Sequence, residues 1–132
     1  MIDLSDFKVV YYPDGHKHII SDKDLKNNTT LSASIKSFDD LFLIAQIKEI
    51  HPEFKTLYIK YMLASRCDRR FSPGEAIDIK IVGNFINTLN FDKVFILRPH
   101  SDKTLHYIMN SIELDITSKL ASECIKYLYN QD

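Results

Sequence analysis

Thr56-Leu57-Tyr58-Ile59-Lys60-Tyr61-Met62-Leu63, Ser72-Pro73-Gly74-Glu75 and Asp92-Lys93-Val94-Phe95-Ile96-Leu97 decide the fold. The first run is β-branched and aromatic enough for a buried strand, and the polar stretch Ser65 to Phe71 ends it. Ser72 to Glu75 has the Ser-x-x-Glu spacing of a capping box with proline at the first helical position, so a helix is expected to start there. Ile77, Ile81, Val82, Phe85, Ile86 and Leu89 recur at helical spacing and predict its core face. The third run is a short apolar strand. A strand, helix and strand in this order make a parallel crossover unit, which sends the loops after both strands to one sheet edge, where such sheets bind ligands.

The same alternation extends in both directions. Toward the amino terminus, Phe7 to Tyr12 and Lys17 to Ile20 read as a hairpin around Pro13-Asp14-Gly15-His16, with Asp-Gly as the turn signal. Leu31 to Lys36 alternates apolar and polar residues, which predicts a strand with one wetter face, at or near a sheet edge. Ser37 is placed to cap a helix with Asp39 and Asp40 in its first turn, and His51-Pro52 closes it. That helix carries Leu41, Phe42, Leu43, Ile44, Ala45, Ile47 and Ile50, apolar on more than one face, which suggests burial against the sheet and against a second subunit. Toward the carboxyl terminus, Thr104 to Met109 is a helical turn, Ile112 to Ile116 a strand and Ser118 to Tyr129 a helix. The expected fold class is α/β: one domain over residues 1–132, a mostly parallel sheet with helices on both faces and an amino-terminal hairpin.

At 132 residues the chain is long enough to bury a core without disulfides or metal. With 17 basic and 18 acidic residues the net charge is -1, so the overall balance points to neither nucleic acid nor an anionic membrane, and any anion site must be local. Cys67 and Cys124 lie far apart and lack zinc-site spacing, which fits two free thiols in a reducing compartment. The acidic start Met1-Ile2-Asp3-Leu4-Ser5-Asp6 has no apolar leader, and no run of about 18 apolar residues occurs. A cytoplasmic protein is expected.

Three arginines in Arg66-Cys67-Asp68-Arg69-Arg70, just past a buried strand, are suited to phosphate oxygens through bidentate guanidinium contacts, although a charged loop is also an ordinary solvated loop. His100 follows a strand end, where imidazole serves either a ligand or a structural hydrogen bond. His16 and His18 alternate near the hairpin without a third ligand, so no zinc site is assigned. Glu75 is explained by capping, and Glu113 with Asp115 reads as surface. With three glycines in the chain, no Gly-rich phosphate cradle can be built, and there is no nucleophile-elbow motif.

Ser65-Arg66-Cys67-Asp68-Arg69-Arg70, Gly74-Glu75-Ala76-Ile77 and His100-Ser101-Asp102 together resemble the amino-terminal half of ribose-phosphate diphosphokinases, which transfer the diphosphate of ATP to the C1 hydroxyl of ribose 5-phosphate. The resemblance implies a phosphoribosyltransferase-like fold, with Arg66, Asp68 and Arg69 on ATP and His100 near its phosphates. It also implies Mg²⁺ as cofactor, with His100 and Asp102 as its candidate ligands, and a homo-oligomer. Three positions depart from the pattern: Cys67 stands where glutamine is usual, Arg98 where the metal-binding aspartate is usual, and His16 where glutamate is usual. A guanidinium at 98 is no ligand for a hard cation.

No Asp-Asp-x-x-Asp-Thr-Gly-like run follows His100, so the half that holds the sugar phosphate is missing from this sequence. The resemblance is therefore to the amino-terminal domain alone, and ribose 5-phosphate is expected as a partner only with a second domain. Loss of that half predicts little or no turnover. A non-catalytic structural or regulatory partner of the same fold is the alternative. An unrelated flavodoxin-like module is a third reading, disfavoured because no acidic cluster or Gly-rich loop follows the first strand.

Overall fold

The computed structural model describes residues 1–21, 25, 29–64, 70, 72–97 and 102–114. Among these, five strands form one sheet: β1 (Ile2–Asp3), β4 (Thr30–Ile35), β5 (Thr56–Met62), β6 (Lys93–Leu97) and β7 (Ser111–Leu114), side by side in that order. All four pairings are parallel. β2 (Lys8–Tyr11) and β3 (Lys17–Ile20) make the expected antiparallel hairpin. Its turn needs Gly15, whose φ of 91° suits glycine and few other residues.

Helix α1 (Phe38–Ile50) links β4 to β5, α2 (Asp78–Thr88) links β5 to β6, and the short α3 (Asp102–Tyr107) links β6 to β7. Leu41, Leu43, Ile44 and Ile47 of α1 and Ile79, Val82 and Ile86 of α2 are buried with Leu31, Leu57, Ile59, Val94 and Ile96 in the larger core. Residues alternate across a strand, so Tyr58, Phe95 and Leu114 form a second cluster on the opposite face, with Met1 and Leu97 against it. Both faces of the sheet are thus buried, as the sequence pattern requires. The helix expected over 118–129, with Cys124, lies outside the described residues, as does Cys67.

Four local expectations need correction. The helix expected at Ser72-Pro73 begins instead at Asp78. Ser72 to Glu75 closes on itself as a separate turn, Glu75 N–H donating to the Ser72 carbonyl at 3.1 Å and Ser72 N–H to the Glu75 carboxylate at 3.0 Å. Ile77 then runs extended (φ -98°, ψ 91°) before the helix starts. The buried face of α2 is Ile79, Val82, Gly83 and Ile86, while Ile81 is 59% exposed. Gly83 sets that rotation, because only a residue without a side chain lets the Tyr107 backbone approach so closely. The wetter face of β4 is wet only toward its end: Ser32 is buried, its hydroxyl donating to Asp3 at 2.6 Å, while Ser34 is half-buried and Lys36 exposed. Finally, β1 was not foreseen at all. As a two-residue strand it leaves β4 one position in from the edge.

The hairpin is pinned to α1. The Gln46 side-chain amide accepts from Ile19 N–H at 2.8 Å and donates to the Lys17 carbonyl at 2.9 Å, which mimics one rung of a sheet. At its far end Ser21 Oγ and His51 Nε2 lie 2.8 Å apart, and His51 Nδ1 is 3.2 Å from Glu53.

Candidate functional site

Because the sheet is parallel, its carboxyl ends collect on one edge. β4 ends at Ile35, β5 at Met62 and β6 at Leu97, with Ile35 paired to Met62 and Ile59 to Ile96. An open cleft of about 630 Å³ lies at this edge, between the strand ends, the first turn of α1 and the hairpin. Asp3, Ser34, Lys36, Asp40 and Lys60 line its polar side, with Tyr11 and Lys17 from the hairpin; Leu4, Phe7, Val9 and Leu43 are its apolar floor.

Lys60 reaches the cleft through an irregularity in the sheet. The β4–β5 register steps from Ala33↔Ile59 to Ser34↔Tyr61, leaving Lys60 as the extra residue on β5. Bulges of this kind re-aim a side chain and are rare between parallel strands. The Lys60 ammonium lies 2.7 Å from the Asp3 carboxylate. Asp3 also accepts from Ser5 N–H at 3.0 Å, from the Ser5 hydroxyl at 2.6 Å and from the Ser32 hydroxyl at 2.6 Å. Partial burial opposes ionisation of Asp3, but Lys60, Ser32 and Ser5 outweigh it and hold its carboxyl well below the usual carboxylate range.

The other charges are less tightly held. Lys17 pairs with Asp39 at 3.0 Å, and that hydrogen bond and charge raise its pKa. One carboxylate oxygen of Asp40 accepts the N–H groups of Lys36 and Ser37 at 2.9 and 3.2 Å, closing the start of α1. No carboxylate among the described residues pairs with the Lys36 ammonium.

Arg66, Asp68, Arg69 and His100, assigned to the nucleotide by resemblance, lie outside the described residues, as do Arg98 and Asp115. Asp102 opens α3, but its side chain is likewise outside. What the fold does place is their origin: the chain leaves β5 and β6, adjacent strands, at the same edge. His16 and His18 have rings 6.0 Å apart beside Tyr12. Among the described residues, no group of three His, Cys, Asp or Glu comes together for a metal ion. Glu113 is exposed. Asp3, Lys36 and Lys60 were missed by sequence reasoning; a lysine inside an otherwise apolar strand was the available signal for Lys60.

No family model matches the chain. Curated relatives do. The ribose-phosphate pyrophosphokinase of Saccharolobus solfataricus is 31% identical over 110 residues, which covers 78% of this chain and 38% of that protein. This chain is similar to ribose-phosphate pyrophosphokinases. The pyrophosphokinase of Sulfurisphaera tokodaii is 29% identical over 123 residues, covering 87% of this chain and 42% of the relative. That of Methanobrevibacter smithii is 27% identical over 111 residues, covering 80% and 37%. The crystal structure of phosphoribosylpyrophosphate synthetase from Mycobacterium smegmatis superposes with a TM-score of 0.66 over 93% of this chain and 44% of that one, at 15% identity, which shows a shared fold. The chain therefore spans about two fifths of the length of the pyrophosphokinases it matches, as an amino-terminal domain would. Among the described residues, no helix is long and apolar enough to cross a membrane.

Proposed function

We propose that this chain is the ATP-binding half of a ribose-phosphate pyrophosphokinase, inactive in diphosphate transfer without a second domain. The observation that carries the reading is the similarity itself, which runs over most of this chain but over only 38% and 42% of the two relatives from Saccharolobus and Sulfurisphaera. The reading places ATP at the carboxyl edge of the sheet, with Arg66, Asp68 and Arg69 on the nucleotide and His100 near its phosphates. Guanidinium groups suit that task because their planar fork meets two phosphate oxygens at once. Mg²⁺ would balance phosphate charge there, with His100 and Asp102 as the residues to hold it. Arg98, two residues before His100 in the sequence, is a cation and no ligand for a hard metal. The protein works in the cytoplasm as a homo-oligomer, with neither nucleic acid nor membrane as partner.

Arg98 and Cys67 favour a second reading, a non-catalytic partner that keeps the fold while its site has lost ligands. A carboxylate-to-guanidinium change reverses local charge by two units. Calorimetric titration with ATP, with and without Mg²⁺, separates the two. The first reading expects saturable binding that Arg66→Ala and His100→Ala both weaken. Absence of heat at millimolar ATP, not restored by Arg98→Asp with Cys67→Gln, would favour the second.

A further inference from the structure

We propose that the cleft beneath the hairpin is a binding site for a small phosphorylated sugar, independent of the nucleotide site. Its volume of about 630 Å³ matches small-molecule sites, but its lining is more polar than most, which suits a polar ligand. Two of its charges cancel. Asp3 is saturated by Lys60, Ser5 and Ser32, so neither Asp3 nor the lysine aimed at it by the bulge carries net charge into the space.

Among the described residues Lys36 is the lining cation without a carboxylate partner, at the exit of β4 with the Ser34 hydroxyl also on the lining. Lys17 stands across the cleft in an exposed pair with Asp39, and such pairs are held weakly enough to re-form around an anion. These two ammonium groups suit a phosphoryl group. Asp40 uses one carboxylate oxygen for two backbone N–H groups, and its other oxygen is available to accept from a hydroxyl. Ser34 and the Tyr11 phenol add groups that both donate and accept. Among the described residues no amide side chain lines the cleft, whereas its hydroxyls and carboxylate fit a polyol. Leu4, Phe7, Val9 and Leu43 provide the apolar floor for its carbon skeleton.

The probe is ribose 5-phosphate, because in the proposed function that sugar phosphate belongs to a half absent from this sequence, so any binding here reports on the cleft. The full chain is titrated calorimetrically with ribose 5-phosphate, inorganic phosphate and ribose, and amide shifts are followed by NMR. Saturable binding of ribose 5-phosphate is expected, with shifts at Ser34, Lys36 and Lys60, weaker binding of phosphate and none of ribose. Lys36→Glu should weaken it by about tenfold or more, the loss of one charged hydrogen bond, and Lys36→Gln by less. Both variants should melt with the wild type, since Lys36 is exposed. Arg66→Ala should leave this affinity unchanged while weakening ATP, so the two sites fail separately. The absence of saturable binding, an unaltered affinity in Lys36→Glu, or equal affinity for inorganic phosphate would each overturn the proposal.

Discussion

A Cβ added at Gly83 would lie 2.8 Å from the Tyr107 carbonyl oxygen and 2.9 Å from the Tyr107 Cβ. Neither atom can easily retreat, because Asn87 donates to that carbonyl at 3.0 Å and accepts from Met109 N–H at 2.8 Å. Alanine would gain about 1 kcal/mol in helix propensity, but overpacking costs about 1–3 kcal/mol and more against backbone. Gly83→Ala should therefore lower the urea midpoint with an unchanged slope. Asp3 makes a second prediction. Its folded pKa is depressed, so its contribution is fully present above the unfolded value of about 4 and is lost as pH falls toward the folded one. Denaturation of wild type and Asp3→Asn should differ most near neutrality and converge in acid; a gap that stays constant with pH would refute the role of the carboxylate. The contrast with Arg66 to Arg70 is instructive. That loop is contiguous, so its chemistry can be read from the text, whereas Asp3 and Lys60 meet only because β1 and β5 flank β4 and a bulge turns one lysine.

The hairpin hangs on the Gln46 amide and on Ile19, which is 2% exposed. Replacing Gln46 by leucine strips partners from one part-buried N–H and one carbonyl, a loss of about 1–3 kcal/mol. Local rather than global weakening is expected, so hydrogen exchange should quicken at Val10 and His18, the hydrogen-bonded pair of the hairpin, before the strands of the main sheet; uniform acceleration would count against it. Elements built on long apolar runs were legible: β4, β5, β6, α1 and the Asp-Gly hairpin all stand within one or two residues of their expected bounds. Those that depend on competition were not. Ser72 to Glu75 carries the chemistry of a helix start, yet the same two hydrogen-bonding groups close a free-standing turn equally well. Polar Ser32 looked wet because its partner, Asp3, comes from elsewhere in the chain.

For the molecule as a whole, the carboxyl ends of the sheet collect on one side, and helices α1 and α2 leave an apolar surface on another. Phe38, Phe42 and Ile81 are exposed there and, with Leu41, Val82 and Phe85, line a groove of about 180 Å³ between α1 and α2. The fold class was legible because strand and helix alternate; the nucleotide site proposed at Arg66, Asp68, Arg69 and His100 rests on resemblance alone, since the composition of those loops would equally suit solvent. The largest consequence concerns turnover. Diphosphate transfer joins two bound molecules, and its rate depends on holding them in near-attack geometry, where effective molarities reach about 10⁵–10⁸ M. A half-site that grips ATP alone supplies the electrostatics for one reactant and none of that positioning. Incubated with ATP, Mg²⁺ and ribose 5-phosphate, the purified 132-residue chain should release no AMP above a blank. Occupation of the hairpin cleft by the sugar phosphate would not change this, because that cleft is a site independent of the one proposed for ATP and does not bring the two reactants into near-attack geometry. AMP formed in proportion to added ribose 5-phosphate would show that the chain builds a complete active site by itself or between its copies, and a dependence of the rate on the square of protein concentration would single out the second route.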